Sequence, residues 1–226
     1  MWGHGWVYTA EGESDEQAIV VCRYCHQSAL RCDGCGVPVG GNHVALPDGR
    51  HICPRCHQTA IYDQARGREI FERVAGVVTG QLGLGLNVGT DFTLVDHQHL
   101  QRLAAEVHDV SGTDPAKVVG LFARKGHQRV MYILSGLPQI LFMQVVAHEW
   151  AHAWEGENCP LLRDPLVREG FAEWAAHKTL RTFGAVKKVA LMERQDGLYG
   201  DGLRKMLALE QRDGANGVLD FCRRAE

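Results

Sequence analysis

Three closely spaced cysteine pairs limit what the first 60 residues of this 226-residue chain can form. Six of the eight cysteines lie in these C-x-x-C pairs, which are Cys22 and Cys25, Cys32 and Cys35, and Cys53 and Cys56. The N-terminus is acidic and lacks an apolar secretory segment, so we expect a cytoplasmic protein with metal ligands rather than disulfides here. Such small modules fold because metal binding supplies the free energy.

An internal repeat with an offset of 31 residues runs through this cysteine-rich part. The sequence CRYCHQSAL at 22–30 recurs as CPRCHQTAI at 53–61, which predicts two tandem zinc modules. The second module offers four thiolates in two short pairs, a set that suits tetrahedral zinc. Its predicted ligands are Cys32, Cys35, Cys53 and Cys56.

The first module has an incomplete ligand set. By the same offset its candidate ligands are His4, Cys22 and Cys25, and Met1 stands at the fourth position. Three alternatives remain open: His26 or water completes the site, the start of the module is missing, or the module holds no metal. The cysteine-rich part is therefore expected to bind one or two structural zinc ions.

The composition changes near residue 60, and we expect a zinc-binding module over 1–62 and a larger domain over 63–226. Hydrophobic periodicity in the larger domain predicts an α+β fold with a small antiparallel sheet and long helices. The predicted helices cover 64–82, 97–107, 138–155 and 164–183, with two or three more after residue 185. The predicted strands cover 86–96, 118–124 and 129–135, the last two joined as an antiparallel hairpin.

A second metal-binding pattern lies in the helix that begins near Pro138. His148 and His152 are four residues apart, so both imidazoles face one side of the helix and can share one catalytic zinc ion. Glu149 is placed to take a proton from a zinc-bound water, whose pKa the metal lowers to about 7. H-E-x-x-H alone is a weak signal, but its apolar surroundings predict a buried helix, where unpaired imidazoles would be costly.

A catalytic zinc needs a third protein ligand and an open position. Glu169 in the next predicted helix is the expected ligand, since Gly170 beside it permits close approach of a neighbouring helix. Glu173, one turn further on, is the alternative and is otherwise expected to support a ligating histidine. Two further residues are candidates for stabilising an oxyanion, namely Tyr199, in a glycine-rich stretch that we expect to be a loop, and His177.

These residues resemble the DA-one peptidases, a family of LIM-domain, ubiquitin-activated regulators of organ size in plants with relatives in bacteria. The resemblance is carried by LSGLP at 134–138, AHEWAHAW at 147–154, Glu169-Gly170, Ala176-His177 and YGDGLR at 199–204. It implies a gluzincin-like zinc metallopeptidase domain, with His148, His152 and Glu169 as ligands and Glu149 as the catalytic glutamate.

The resemblance also implies that 1–62 is a LIM-like tandem zinc module, whose second half matches the family at its four cysteines. The first half departs from the family pattern, because Met1 and His4 stand where a cysteine pair is usual. Six residues, instead of the usual two, separate Cys25 from Cys32. The sequence shows no ubiquitin-interacting segment, so activation by ubiquitin is not implied for this chain.

Charge and hydropathy disfavour two classes of partner. The formal net charge is −3, and the cysteine-rich part has no basic excess, which argues against nucleic-acid binding. The uncharged stretch 130–147 is broken at Gly136 and Pro138, so we expect no membrane span.

The leading hypothesis is a zinc endopeptidase that acts on a protein or peptide substrate, which would add as a strand along 129–135 if that strand forms a sheet edge. The alternative is a LIM-type adaptor that binds a protein partner through the zinc module and whose peptidase-like domain is inactive. Cleavage by the wild type beside a Glu149→Gln variant separates the two hypotheses.

Overall fold

The computed structural model describes residues 6–8, 19–106, 118–125 and 128–225, so Met1 and His4 lie outside the described residues. The cysteine-rich part is built from short elements, in the order β1 (Trp6–Tyr8), β2 (Ile19–Val21), α1 (Arg23–Ser28), β3 (Val44–Ala45), β4 (His51–Ile52), α2 (Pro54–Thr59) and β5 (Ala60–Ile61). β1 pairs with β2, and β3 pairs with β4, both antiparallel. The buried cluster of this part is small and consists of Cys32, Val37, Ile52, Cys53 and Cys56.

The rest of the chain combines long helices with short strands, which confirms the prediction of a mixed helix and sheet protein. Its helices are α3 (Gln64–Gly80), α4 (His97–Glu106), α5 (Gln139–Asn158), α6 (Pro165–Thr182), α7 (Val186–Glu193) and α8 (Gly197–Arg224). Its strands are β6 (Asp91–Val95), β7 (Gly120–Lys125), β8 (Gln128–Leu134) and β9 (Leu137–Pro138). The stretch 130–147 is thus divided among β8, β9 and α5, and no helix among the described residues is long and apolar enough to cross a membrane.

The three-stranded sheet has the order β6-β8-β7. β7 and β8 pair antiparallel, which confirms the predicted hairpin, but β6 pairs parallel with β8, so the sheet is mixed rather than antiparallel. The chain between β6 and β8 contains α4 and β7, which is long enough for the crossover that a parallel pair requires. β8 is therefore the central strand, and the condition for peptide addition along 129–135, that this strand forms a sheet edge, is not met.

The core of the larger part lies where α6 packs between α5 and α8. Aromatic side chains fill the space between the first two helices, with ring centroids of Trp154 and Phe171 5.3 Å apart. Asp164 caps α6 by accepting the N–H of Leu166 at 2.9 Å, as the Asp-Pro pair predicts. Gly156 does not end α5, which continues to Asn158.

The crossing of α6 and α8 depends on two glycines. A Cβ atom added to Gly170 would lie 2.6 Å from the backbone of Gly202, and one added to Gly202 would lie 2.6 Å from the Cα of Gly170. No side chain fits at such a distance, so the two backbones touch. The predicted close approach of a helix to Gly170 is confirmed, and it brings the start of α8 next to Glu169.

The cysteine-rich part packs directly against the beginning of α5. β5 pairs antiparallel with β9, which places Ala60 opposite Pro138 and Ile61 opposite Leu137. A Cβ atom added to Gly34 would lie 2.7 Å from Cγ of Pro138, the residue that precedes α5. Two independent contacts therefore join the two parts at the same point.

Candidate metal centre and its cleft

Helix α5 brings the two histidines of the H-E-x-x-H pattern together. Their spacing of four residues puts both rings on one side of the helix, with centroids 4.8 Å apart. The Nε2 atoms of His148 and His152 are 3.1 Å from each other. Both nitrogens thus point at a common position outside the helix.

Glu169 reaches the same position from α6. Its Oε2 lies 3.3 Å from Nε2 of His148 and 3.7 Å from Nε2 of His152. A tetrahedral zinc ion with bonds of about 2.0–2.1 Å holds its ligand atoms about 3.4 Å apart. The three measured separations bracket that value, and a set of two imidazoles and one carboxylate leaves a fourth position open, so these residues fit a zinc ion.

Two further carboxylates hold the outer nitrogens of the imidazoles. Glu173 lies 3.0 Å from Nδ1 of His148, and Glu155 lies 2.8 Å from Nδ1 of His152. A carboxylate at Nδ1 fixes the tautomer in which Nε2 carries the lone pair, which is the form that binds a metal. Glu173 thus lies where the sequence predicted it, beside a histidine that can bind the metal. Glu155 was not predicted from the sequence, although its spacing of three residues from His152 on the same helix indicates such a contact.

The charges in this group depend on one another. Burial lowers the pKa of His148, but hydrogen bonds to Glu169 and Glu173 outweigh it and hold the pKa well above the usual value. Burial also lowers the pKa of His152, and Glu155 with Glu169 raises it to about 9. The imidazoles in turn hold the pKa of the Glu169 carboxyl far below its usual range, against burial. The carboxylates thus favour positive charge at this point, and a divalent cation can replace the protons.

His148, His152 and Glu169 are called the metal group below. Glu149 faces the edge of the sheet beside this group. Its Oε2 accepts the backbone N–H of Phe122 in β7 at 2.8 Å. A Cβ atom added to Gly120 would lie 3.1 Å from the other carboxylate oxygen and 2.3 Å from Cγ1 of Val145. The glycine therefore lets β7 approach α5 closely enough for the backbone to orient Glu149.

A cleft of about 860 Å³ opens over these residues. It is lined by β7, by the metal group and Glu149, and by Tyr199. Tyr199 lies in the first turn of α8 rather than in a loop, and its ring centroid is 6.1 Å from that of His148. His177 does not line the cleft: its side chain is fully buried, and Nε2 lies 2.8 Å from Glu193 of α7.

The second candidate metal group is formed by Cys32, Cys35, Cys53 and Cys56, whose sulfur atoms all lie within 4.8 Å of one another. The Sγ atoms of Cys35 and Cys53 are 3.9 Å apart, close to the separation of about 3.8 Å that zinc bonds of about 2.3 Å require. The N–H of Cys53 donates to Sγ of Cys32 at 3.2 Å, which favours a thiolate. Hydrogen bonds from Cys35 and Cys56 hold the pKa of Cys32 far below its usual value, whereas the pKa of Cys35 rises to about 12.

The first zinc module is not complete within the described residues. Cys22 is exposed and Cys25 is half-buried, and neither joins a group of three ligands in the part of the chain that the structure covers. His26 is held by other contacts, since its ring stacks on Trp6 with centroids 4.2 Å apart and its Nδ1 lies 2.7 Å from the hydroxyl of Tyr8. His4 lies outside the described residues.

Two proteins of Arabidopsis thaliana are similar to this chain in sequence. "Protein DA1" is 24% identical over 200 residues, which cover 71% of this chain and 37% of that protein. "Protein DA1-related 1" is 26% identical over 201 residues, which cover 71% of this chain and 35% of that protein. The chain thus spans about a third of the length of these relatives. No family model matches the chain, and no solved structure matches it. The two relatives confirm the resemblance to the DA-one family.

Proposed function

We propose that this chain, which resembles the DA-one family, is a zinc-dependent endopeptidase that hydrolyses peptide bonds of protein substrates. The observation that carries the proposal is the meeting of His148, His152 and Glu169 at one wall of a cleft, next to Glu149. Three ligands with an open fourth position are typical of catalytic zinc rather than structural zinc. When bound, zinc would polarise the scissile carbonyl and lower the pKa of water.

Glu149 is proposed as the group that accepts a proton from water and delivers it to the leaving amine. The N–H of Phe122 binds one carboxylate oxygen at 2.8 Å, so the orientation of the side chain is set before substrate arrives. The second oxygen is left for proton transfer. A positioned general base of this kind contributes about 10²- to 10⁴-fold to the rate.

Tyr199 is the better placed of the two candidates for stabilising an oxyanion. Its ring lies beside His148 at the cleft, whereas His177 pairs with Glu193 away from it. A phenol hydroxyl at this position would donate a hydrogen bond to the negative oxygen that forms during peptide hydrolysis. We therefore assign the donor role to Tyr199 and give His177 no part in the reaction.

The edge of β7 that pairs with no strand among the described residues is the proposed binding surface for the peptide backbone. The carbonyl of Val119 faces β8, where it accepts the N–H of Leu134 at 3.0 Å. The N–H of Phe122 points the other way and is bound by Glu149, so the backbone groups left for a peptide belong to the other residues of the same alternation, Gly120 and Arg124. An extended peptide can pair with such an edge, which places its backbone across the metal group.

The test is proteome-wide identification of the new N-termini that the wild type produces and a Glu149→Gln variant does not. The variant keeps all metal ligands, so its zinc content should equal that of the wild type while cleavage falls by at least about 100-fold. Equal cleavage by both proteins would rule out the proposed role of Glu149. No cleavage by either protein would favour the alternative function.

That alternative is an adaptor that binds a protein partner through the zinc module. Exposed apolar side chains favour it, since Val7 and Val20 are paired across β1 and β2 with exposed fractions of 63% and 66%. Tyr24 in α1 is 76% exposed. Apolar groups on a small module are typical of surfaces that bind other proteins. Partner binding by this surface is compatible with peptidase activity in the same chain.

A further inference from the structure

We infer that the cleft selects peptides with an acidic group beside the bond to be cut, an inference that rests on the proposed peptidase function. Three arginines line the cleft together with the metal group, namely Arg124 in β7, Arg163 between α5 and α6, and Arg168 in α6. None of the described lining residues is a lysine. The positive side chains of the cleft are therefore guanidinium groups, whose paired N–H donors match a carboxylate.

The acidic residues of the cleft are buried and already bound. Glu149, Glu155, Glu169 and Glu173 have exposed fractions of only 5–8%. Glu155, Glu169 and Glu173 contact the imidazoles of the metal group, and Glu149 accepts the N–H of Phe122. An incoming peptide therefore meets few free carboxylates on the walls.

The guanidinium groups lie nearer the solvent. Arg124 and Arg163 are exposed and Arg168 is half-buried. Arg163 donates to the carbonyl of Leu162 at 3.1 Å, a neutral acceptor that leaves its positive charge uncompensated. Within residues 6–8, 19–106, 118–125 and 128–225, no carboxylate forms an ion pair with Arg124 or Arg163. Both can thus bind a carboxylate of the substrate.

The positive charge of the cleft exceeds its negative charge once a divalent ion is bound. The ion offsets two of the four carboxylates of the cleft, and the three arginines exceed the two that remain, so the charges sum to about +1 with the exposed part positive. A peptide with Asp or Glu near the scissile bond is attracted, and one with Lys at the same place is repelled. The inference therefore predicts both a preference and an exclusion.

The experiment compares peptides that differ at one position. Quenched fluorescent peptides with acetylated and amidated ends carry Glu, Gln or Lys at each of the three residues on either side of the cleaved bond. We expect kcat/KM for the best Glu position to exceed that for Gln by about tenfold, and the Lys peptide to be slower still. Arg163→Glu should remove the preference for Glu and improve cleavage of the Lys peptide.

Arg181→Glu is the matched control, because Arg181 is an exposed arginine of α6 that does not line the cleft. Both variants change the net charge equally. The Arg181→Glu protein should keep the wild-type preference, and an equal loss of preference in the two variants would overturn the inference in favour of a bulk charge effect. Equal cleavage of Glu and Gln peptides by the wild type would overturn it too, while leaving the peptidase function intact.

Two further measurements separate the remaining explanations. Gln peptides with a free C-terminal carboxylate show whether the arginines bind the carboxylate of a chain terminus instead of an acidic side chain. Only faster cleavage of internal Glu peptides supports the inference. Binding of the same peptides to the Glu149→Gln protein, measured by fluorescence anisotropy, tests the preference without turnover. Tighter binding of the Glu peptide with no cleavage by the wild type would support the arginine site and reject the peptidase.

Discussion

The two candidate metal groups of this chain are built in opposite ways. The four cysteines come from one turn and from the start of the short helix α2, and they offer a full tetrahedral set, so that a zinc ion there has no open position. The group of His148, His152 and Glu169 comes from two long helices, offers three ligands and lines a cleft. The number of ligands and access to solvent separate a structural site from a site suited to chemistry.

The groups also differ in what holds their ligands in place. Three of the five buried residues in the cysteine cluster are themselves ligands, so little apolar surface remains to fold that part without metal. The histidines and Glu169 belong to helices in a large core, where Phe142, Phe171 and Trp174 are 0% exposed. Loss of metal should therefore unfold the cysteine-rich part, whereas α5 and α6 should stay folded without the ion.

The largest expected effect is that of Cys53→Ala on the structure of the cysteine-rich part. Structural zinc contributes on the order of 10 kcal/mol to folding in small modules, so backbone amides at 30–62 should lose protection from hydrogen exchange. His152→Ala is the matched change at the other group and should remove one zinc equivalent without loss of protection at 139–182. If the Cys53→Ala protein has lost its zinc but keeps protection at 30–62, the cysteine-rich part does not need metal to fold, and the contrast between the two groups is wrong.

The next effect is on turnover alone. Tyr199→Phe removes the proposed hydrogen-bond donor and should lower kcat by about 100-fold, with both zinc ions retained and KM nearly unchanged. Steady-state kinetics and metal analysis on the same preparation measure this. A decrease of less than about threefold would exclude Tyr199 from the reaction and leave the oxyanion to the metal.

A smaller effect is expected for the carboxylates behind the histidines. Glu173→Gln should weaken zinc binding at the histidine group by about 10- to 100-fold and leave the cysteine group unchanged. Titration with a competing chelator measures both affinities in one experiment. Glu193→Gln is the control, because Glu193 pairs with His177 outside the cleft, and it should change neither affinity. Equal losses in the two variants would indicate general destabilisation.

Residue spacing predicted the features that depend on a single helix or on two strands next to each other in sequence. The positions of His148 and His152 follow from helix periodicity, and the Asp164 cap and the β7–β8 hairpin follow from local signals. The close approach at Gly170 was also predictable, because a glycine in a buried helix marks a contact between backbones.

Features that depend on distant parts of the chain were not predictable in this way. Parallel pairing of β6 with β8 leaves β7 as the edge beside Glu149, and no local pattern specifies that order. His177 follows Glu169 by eight residues, which rotates it by about 80° around a helix of 3.6 residues per turn, toward α7 instead of the cleft. Tyr199 lies in a helix because Gly200 and Gly202 fit the tight packing of α8, although two glycines suggest a loop.

The pairing of β5 with β9 bears on how the chain can be divided. A cut between residues 62 and 63 would separate Ala60 and Ile61 from Leu137 and Pro138, and would leave the backbone of β9 without its partner. Leu137, now 2% exposed, would face water two residues before the helix that carries both histidines. A fragment of 63–226 would thus expose an unpaired, apolar strand edge just before that helix. Expression of the two parts as separate proteins should therefore yield aggregates rather than two folded proteins.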